Sequence, residues 1–587
     1  MSLPSPAPAA GPPLSHYQER IIEFVTSGQG NGVVRATAGA GKTSTLVAVA
    51  SNLDPASRAC FLAFGREAAA ELARRLPPWV AAMTVHSLGR STVERSLRSS
   101  GRRMQAVEKG KYRRLLRRAL KERPGSSGLA PEQVAGCEEY LNRVVGLVRL
   151  HLVEPGDDGA LRALVEHHAI VPPEPELEPA SHRLLWKVLE QGLDEALELG
   201  ICDFTDMLYL PVTQELDPPR FDFVCVDEAQ DYSAAALAFT RRLVDARSGG
   251  RLLFVGDPRQ SIYGFAGADS EAMDRIVAET KATVLPLSIT YRCPRSHVAL
   301  ARLLAPEIEA GPSANEGRVF WIADRALEHW AREGDMVICR ANAPLVKTCL
   351  RLARAGLRAF VRGRDLRKQL LELSERAVAG RSRDPRDELD AFEARETARL
   401  QRLAGRRAEP LVEARRDLVD CLRFLLANPR SGDAVGLREL QRRIEETFAQ
   451  QEGAVILSTV HRAKGLESDR VLLLYPELMP APYARTARSL RGEAAVQFVA
   501  LTRARHDLVF VSNASAQASR AVSKDGMRSG PVGSRSPPAT ADPDRAPPAT
   551  SLDPVGVELA PEDLTGQGKG VWREVLELAR LLSRTRG

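Results

Sequence analysis

The chain has 587 residues, a hydrophobic fraction of 44%, a charged fraction of 27% and a formal net charge of +7. That length is too great for one hydrophobic core and implies about three to five folding units, while the composition is that of a soluble globular protein. No apolar stretch approaches the ~20 residues that cross a bilayer, and eight scattered cysteines without a Cys-x-x-Cys pair argue against a zinc site or a disulfide framework.

The first residues, Met-Ser-Leu-Pro-Ser-Pro-Ala-Pro, lack the basic start and apolar centre of a signal peptide. They read as a disordered leader on a cytoplasmic protein. An apolar run at Gly32, Val33 and Val34 then leads into Ala36, Thr37, Ala38, Gly39, Ala40, Gly41, Lys42, Thr43 and Ser44, followed by a helical pattern at Leu46, Val47 and Val49. Strand, glycine-rich turn and helix in that order form a phosphate-binding loop. Backbone N–H groups freed by the glycines close on the phosphates, Lys42 reaches the β and γ oxygens, and Thr43 holds Mg²⁺. Only Ala36, where glycine is usual, departs from the pattern.

Strand-like runs at Arg58 to Phe64, Phe221 to Val226, Arg251 to Val255 and Thr283 to Leu287 alternate with helical patterns, which predicts a parallel sheet with its sites at the carboxyl ends. Asp227 and Glu228 emerge from the second of these runs. A carboxylate there can hold Mg²⁺ and another can orient the attacking water, and we read them in that order. After the third run, Gly256 and Asp257 bring Gln260 beside the phosphate loop, where an uncharged amide can sense the γ-phosphate. Tyr263 and Phe265 follow, with core packing and stacking on bases both open to them.

Residues 96 to 200 are helical in pattern and look inserted. They begin with a basic run that includes Arg102, Arg103, Lys109, Lys111, Arg113, Arg114, Arg117 and Arg118, which suits either a phosphate-backbone footprint or a solvated helix face. A second set of strands is predicted at Val319 to Ile322, Met336 to Cys339, Arg358 to Val361, Val455 to Ser458, Val471 to Leu474 and Leu508 to Val511, interrupted by a charged helical segment, 371 to 449. After Asn513 the sequence turns to Ser, Pro, Ala, Gly and Arg and predicts disorder. At the end, Trp572, Val575, Leu576, Ala579 and Leu582 line one face of a helix, which can dock on a partner or pack back on the body.

In their order along the chain these motifs resemble superfamily 1 helicases of the UvrD/Rep type, and the short 371 to 449 segment resembles compact relatives such as the F-box DNA helicase group. Further segments carry the likeness: Leu14 to Gln18, Leu62 to Leu72, Thr84 to Ser87, Asp203 to Leu208, Tyr291-Arg292, Thr459 to Glu467 and Phe498 to Arg503. The resemblance implies two RecA-like domains, 1–95 with 201–276 and 277–370 with 450–513, helical insertions at 96–200 and 371–449, and a tail at 514–587. It implies that Gln18 and Tyr291 meet adenine, that Glu467 meets the ribose, and that Arg292 and Arg503 are arginine fingers at the γ-phosphate. It places Phe64, Thr84, His86, Tyr263, Phe265 and His461 on single-stranded DNA. Gly65 stands where relatives carry threonine or asparagine, and Gly264-Phe265-Ala266 where many carry arginines around a tryptophan. The expected activity is ATP- and Mg²⁺-dependent 3′ to 5′ DNA unwinding by a monomer in repair or recombination. Protein stripping without unwinding, or an ATPase switch recruited through the C-terminal helix, are the alternatives.

Overall fold

The computed structural model describes residues 13–122, 131–168, 170, 172–245, 249–262, 271–378, 384–404, 408–427, 436–513 and 564–584. The N-terminal leader, Tyr263, Phe265 and the Ser/Pro-rich tail lie outside the described residues.

Two six-stranded sheets organise the chain, and every strand pairing in them is parallel. The first runs in the order Ala81–Thr84, Ala59–Ala63, Phe223–Val226, Arg251–Gly256, Gly32–Ala36 and Thr283–Leu287. All residues of Ala59–Ala63 and Phe223–Val226 are buried, as expected of central strands covered by helices on both faces. Helices His16–Ser27, Lys42–Ser51 and Arg66–Arg75 cover one face and Val85–Ser99, Asp206–Thr213 and Ala234–Arg241 the other, through two separate apolar clusters. Thr283–Leu287 pairs with Gly32–Ala36, so the first sheet reaches past the boundary expected at residue 276.

The second sheet runs Arg318–Ala323, Ala504–Ser512, Ser468–Leu474, Met336–Cys339, Val455–Thr459 and Ala359–Val361. Its two ends differ in what they carry. Glu467 and Arg503 precede their strands, at the amino ends, whereas Arg340, Arg362 and His461 follow theirs, at the carboxyl ends. In the first sheet, by contrast, the phosphate loop, Asp227, Asp257, Phe64 and Tyr291 all lie beyond carboxyl ends.

The first insertion holds helices Lys111–Lys121, Pro131–Leu150, Asp158–His167 and Glu178–Glu198 around its own core of Leu116, Leu141, Val144, Leu161, Leu185 and Val188. Ala106–Val107 pairs with Ile201–Cys202 at its base. The basic run proves to be largely paired: Lys111 is buried on Asp206, Arg114 bridges Glu108 and Glu195, Arg113 and Arg117 meet Glu138, and Arg118 meets Glu122. Lys111 is the buried member of the run, while Arg113, Arg114, Arg117 and Arg118 make exposed pairs that add little to stability and leave their charge at the surface.

The second block, helices Arg364–Ala377, Pro385–Ala404, Glu409–Leu426 and Leu437–Phe448, has no such independence. Leu370, Val419, Leu422 and Ile444 share one core with Leu345, Leu352, Val455 and Leu457 of the second α/β domain. The C-terminal helix Leu564–Arg584 also packs on that domain. Trp572, Val575 and Ala579 are buried in its core, the Trp572 indole donates to the Pro476 carbonyl at 3.0 Å, and Arg580 lies over the Trp321 ring. The apolar face that the sequence offered to a partner is therefore covered by the chain itself.

Candidate functional site

Gly39 and Gly41 hold left-handed backbone, φ 72° and 75°, and a Cβ at residue 39 would stand 2.5 Å from the Arg292 Cβ. Only glycine tolerates both conditions. The neighbouring alanines pack instead: Ala38 and Ala40 are buried in different clusters, and Ala36 is the last residue of its strand, aligned with Leu287. Ala36 therefore occupies a position where glycine is not required, which gives the unusual first residue of the loop a physical reason. Gly41 caps helix Lys42–Ser51, whose positive end carries Lys42, Thr43 and Ser44 toward the strand ends.

Lys42 Nζ lies 2.8 Å from the Glu228 carboxylate. Burial works to lower the Lys42 ammonium, but the charges of Glu228, Asp227 and Asp257 outweigh it and hold its pKa above the ordinary value. Across the same cluster, burial and the neighbouring Glu228 charge raise Asp227. Glu228 is driven the other way: burial opposes its ionisation, yet Lys42 and Lys464 lower it below the usual carboxylate range. Two adjacent carboxylates with separated pKa values are what a division of labour between cation holding and water orientation requires. Glu228 also adopts left-handed backbone at φ 54°, an uncommon state for a non-glycine residue that neighbouring contacts must sustain. Gln230 supplies one, donating to Glu228 while its oxygen accepts from the Asp257 N–H at 3.0 Å. Gln260 donates to Asp257 at 2.6 Å, which seats it at the carboxylate cluster. Hard oxygen donors beside a helix N-terminus, Thr43 and Asp227 among them, suit Mg²⁺.

A Cβ on Gly41 would stand 3.7 Å from the Gln18 amide and 3.8 Å from the Tyr291 ring, so both flank the loop. Gln18 is fixed by Thr45 and Ser15, and Tyr291 is 49% exposed with its N–H on the Gly39 carbonyl. Arg292 is paired with Glu467, a residue of the second domain. Arg503 is only 1% exposed and donates to the Val499 and Leu466 carbonyls and the Thr502 hydroxyl. Burial and the Arg292 charge push its guanidinium down to about 10. Arg503 is within reach of the Arg292 charge, and Glu467, at 2.5 Å from Arg292, is the anion that meets it. One interdomain contact had no forerunner in the sequence reading: Lys464 meets Asp231 at 2.6 Å, both nearly buried, and joins the second domain to the carboxylate strand of the first.

The strand order carries the site onward from nucleotide to a second surface. Beyond Phe223–Val226 come the ends of Ala59–Ala63 and Ala81–Thr84, bearing Phe64 and Thr84. Phe64 is 54% exposed. Phe204, 53% exposed, stacks on His86 with ring centroids 3.9 Å apart, and burial lowers the His86 pKa to about 4, which keeps the imidazole neutral. These rings and Thr84, Arg66 and Arg90 line a cavity of about 260 Å³. Thr84 itself caps helix Val85–Ser99, whereas Gly65 caps Arg66–Arg75 without any side-chain bond. His461 lines a larger cleft, about 1490 Å³, with Arg340, Asn342, Arg362, Arg364 and Arg462. The pKa of His461 is lowered to about 3 by burial and by Arg340 and Arg462. Phe204, Arg340, Asn342, Arg362 and Arg462, which line these cavities, were not singled out in the sequence. The signal available was position, for Arg340 and Arg362 directly follow predicted strands and Phe204 lies within the Asp203 to Leu208 motif.

A phosphate loop with paired carboxylates, faced by basic residues of a second parallel-sheet domain, defines a two-domain P-loop nucleoside triphosphatase. Residues 17–281 match the UvrD/REP helicase N-terminal domain and residues 413–515 the UvrD-like helicase C-terminal domain. The chain belongs to the UvrD-like helicase family. It is 25% identical to DNA helicase II of Haemophilus influenzae over 52% of this chain and 42% of that protein, and 25% identical to F-box DNA helicase protein 1 of Schizosaccharomyces pombe over 49% and 34%. ATP-dependent DNA helicase UvrD2 of Mycobacterium tuberculosis is 26% identical over 85% of this chain and 78% of its own length. The chain thus spans less than half of the first two relatives.

Proposed function

We propose that the chain is an ATP-dependent DNA helicase that moves 3′ to 5′ along single-stranded DNA. The observation that carries this reading is the convergence of Lys42, Asp227, Glu228 and Asp257 from the first domain with Arg292 and the second domain's Arg503 and Glu467. Gln18 and Tyr291 hold adenine, and Lys42 leaves Glu228 for the β and γ oxygens. Thr43 and Asp227 hold Mg²⁺, which neutralises phosphate charge when bound. Glu228 orients the attacking water, Gln260 reports the γ-phosphate, and Arg292 and Arg503 stabilise the charge that develops there. Because Arg503 and Glu467 belong to the second domain, the cleft is complete only when the domains close, and closure shifts the DNA surfaces against each other.

On the other side, Phe64, Phe204 and His86 stack bases, with Thr84 beside them, while Arg340, Arg362, His461 and Arg462 line the backbone path. Tyr263 and Phe265 join the base contacts by resemblance. Among the described residues no helix is long and apolar enough to cross a membrane; a cytoplasmic monomer acting in repair or recombination is part of the proposal. A second reading, translocation that strips proteins without unwinding, gains support from the described part of helices 364–448, whose Leu370, Val419, Leu422 and Ile444 share the second domain's core. Paired duplexes with 3′ or 5′ single-stranded tails, run beside streptavidin displacement from single strands, test both. Unwinding of the 3′-tailed duplex alone supports the helicase, displacement without unwinding selects the translocase, and preference for 5′ tails overturns the polarity.

A further inference from the structure

The ring of Phe204 faces solvent between two carboxylates that are almost wholly buried. Asp203 and Asp206 clasp the turn around it: the Asp203 N–H donates to Asp206 at 2.9 Å and the Asp206 N–H to Asp203 at 2.8 Å. Arg149, at the end of helix Pro131–Leu150, closes the clasp. Its guanidinium donates to both Asp203 oxygens, at 2.8 and 2.9 Å, and to Asp206 at 2.9 Å, and it lies 3.7 Å above the Tyr112 ring. Lys111 adds a bond to Asp206 at 2.8 Å and another to the Gly192 carbonyl, so three helices of the first insertion meet at this point. Two cations and two anions balance in charge, and Gly192 makes room, since a Cβ there would stand 2.5 Å from the Tyr112 ring. On the far side, helix Asp206–Thr213 is pressed against Val85–Ser99, where a Cβ on Gly89 would come within 2.0 Å of the Met207 carbonyl. The turn is therefore held from both directions, with Phe204 stacked on His86 at its tip.

We infer that Arg149 is a positioning residue for single-strand binding: through Asp203 and Asp206 it ties the orientation of the first helical insertion to the base-stacking ring of Phe204. This rests on the proposed contact of Phe204 with DNA. The guanidinium is required rather than charge alone, because a lysine keeps the charge but cannot bond two carboxylates with a planar fork.

The test is a double-mutant cycle of Arg149→Lys and Phe204→Ala in the full chain, read as the oligo(dT) concentration that half-saturates ATP hydrolysis and as the plateau rate. Arg149→Lys is expected to raise the half-saturating concentration roughly tenfold with little change in the plateau, Phe204→Ala to raise it at least as much, and the double variant to be no worse than Phe204→Ala. If Arg149→Lys does not keep the wild-type circular dichroism and melting temperature, Asp203→Asn takes its place in the cycle. Additive losses, or an unchanged half-saturation in the Arg149 variant beside a weakened Phe204 variant, overturn the inference alone. Unchanged half-saturation in Phe204→Ala overturns the DNA reading of the ring and the inference with it.

Discussion

The two α/β domains share a parallel sheet and use it in opposite senses. The first gathers the phosphate loop, Lys42, Asp227 and Asp257 at its carboxyl ends, the proposed nucleotide side. The second turns its amino ends to the same cleft, bringing Glu467 and Arg503, and keeps its carboxyl ends, with Arg340, Arg362 and His461, for the neighbouring cleft. In the proposed site one copy of the fold thus supplies the phosphate cradle and the other its cations, while Arg340, Arg362 and His461 line a separate cleft. Under the proposed function both halves are required for chemistry, and closing of the cleft between them is what would shift the second surface.

The sharpest break in that comparison is Arg503→Ala. Loss of a charge aimed at the transition state is expected to lower DNA-stimulated kcat by roughly 10³-fold, while binding of a fluorescent ATP analogue stays within about threefold because the cradle lies in the first domain. Equal loss of both would show that Arg503 only holds the Val499 and Leu466 carbonyls together. Next in size is Trp572→Ala. Removing a fully buried indole from the second domain's core is expected to cost about 3–5 kcal/mol, read as a lower midpoint in urea melts, with the cradle of the first domain still binding nucleotide. An unchanged midpoint would mean that the C-terminal helix detaches in solution. Phe64→Ala is expected to weaken oligo(dT) binding by about 1–3 kcal/mol in fluorescence anisotropy and to leave nucleotide affinity alone. The smallest effect is a pH dependence. Asp227 is raised by burial and by Glu228, and it holds a cation only when ionised, so the apparent Mg²⁺ affinity should fall on acidification from neutral before ordinary carboxylates protonate. Asp227→Asn should flatten that profile; a profile unchanged by the substitution places the cation elsewhere.

Local chemistry was legible in the sequence and distant pairing was not. The phosphate loop and the Asp227-Glu228 turn announce themselves because strand, turn and helix follow each other within a few residues. Strand Ala81–Thr84 escaped notice since Ala-Ala-Met-Thr has little β-branched or aromatic character. The basic run at 102–118 left a phosphate footprint and a solvated helix face both open, because Glu138, Glu195 and Asp206, which meet its cations, lie far along the chain. For the same reason neither the Lys464–Asp231 bridge nor the Arg149 clasp could be read from spacing. The C-terminal helix showed its apolar face in sequence, but only the fold says what covers it.

The central claim, that the Lys42 cradle drives work on a single strand, is tested most directly by ATP hydrolysis measured with and without oligo(dT) in the intact chain and in Lys42→Ala. The account predicts strong acceleration by DNA in the intact chain and turnover near background in the variant under both conditions. Hydrolysis indifferent to DNA, or substantial turnover retained without Lys42, would contradict it.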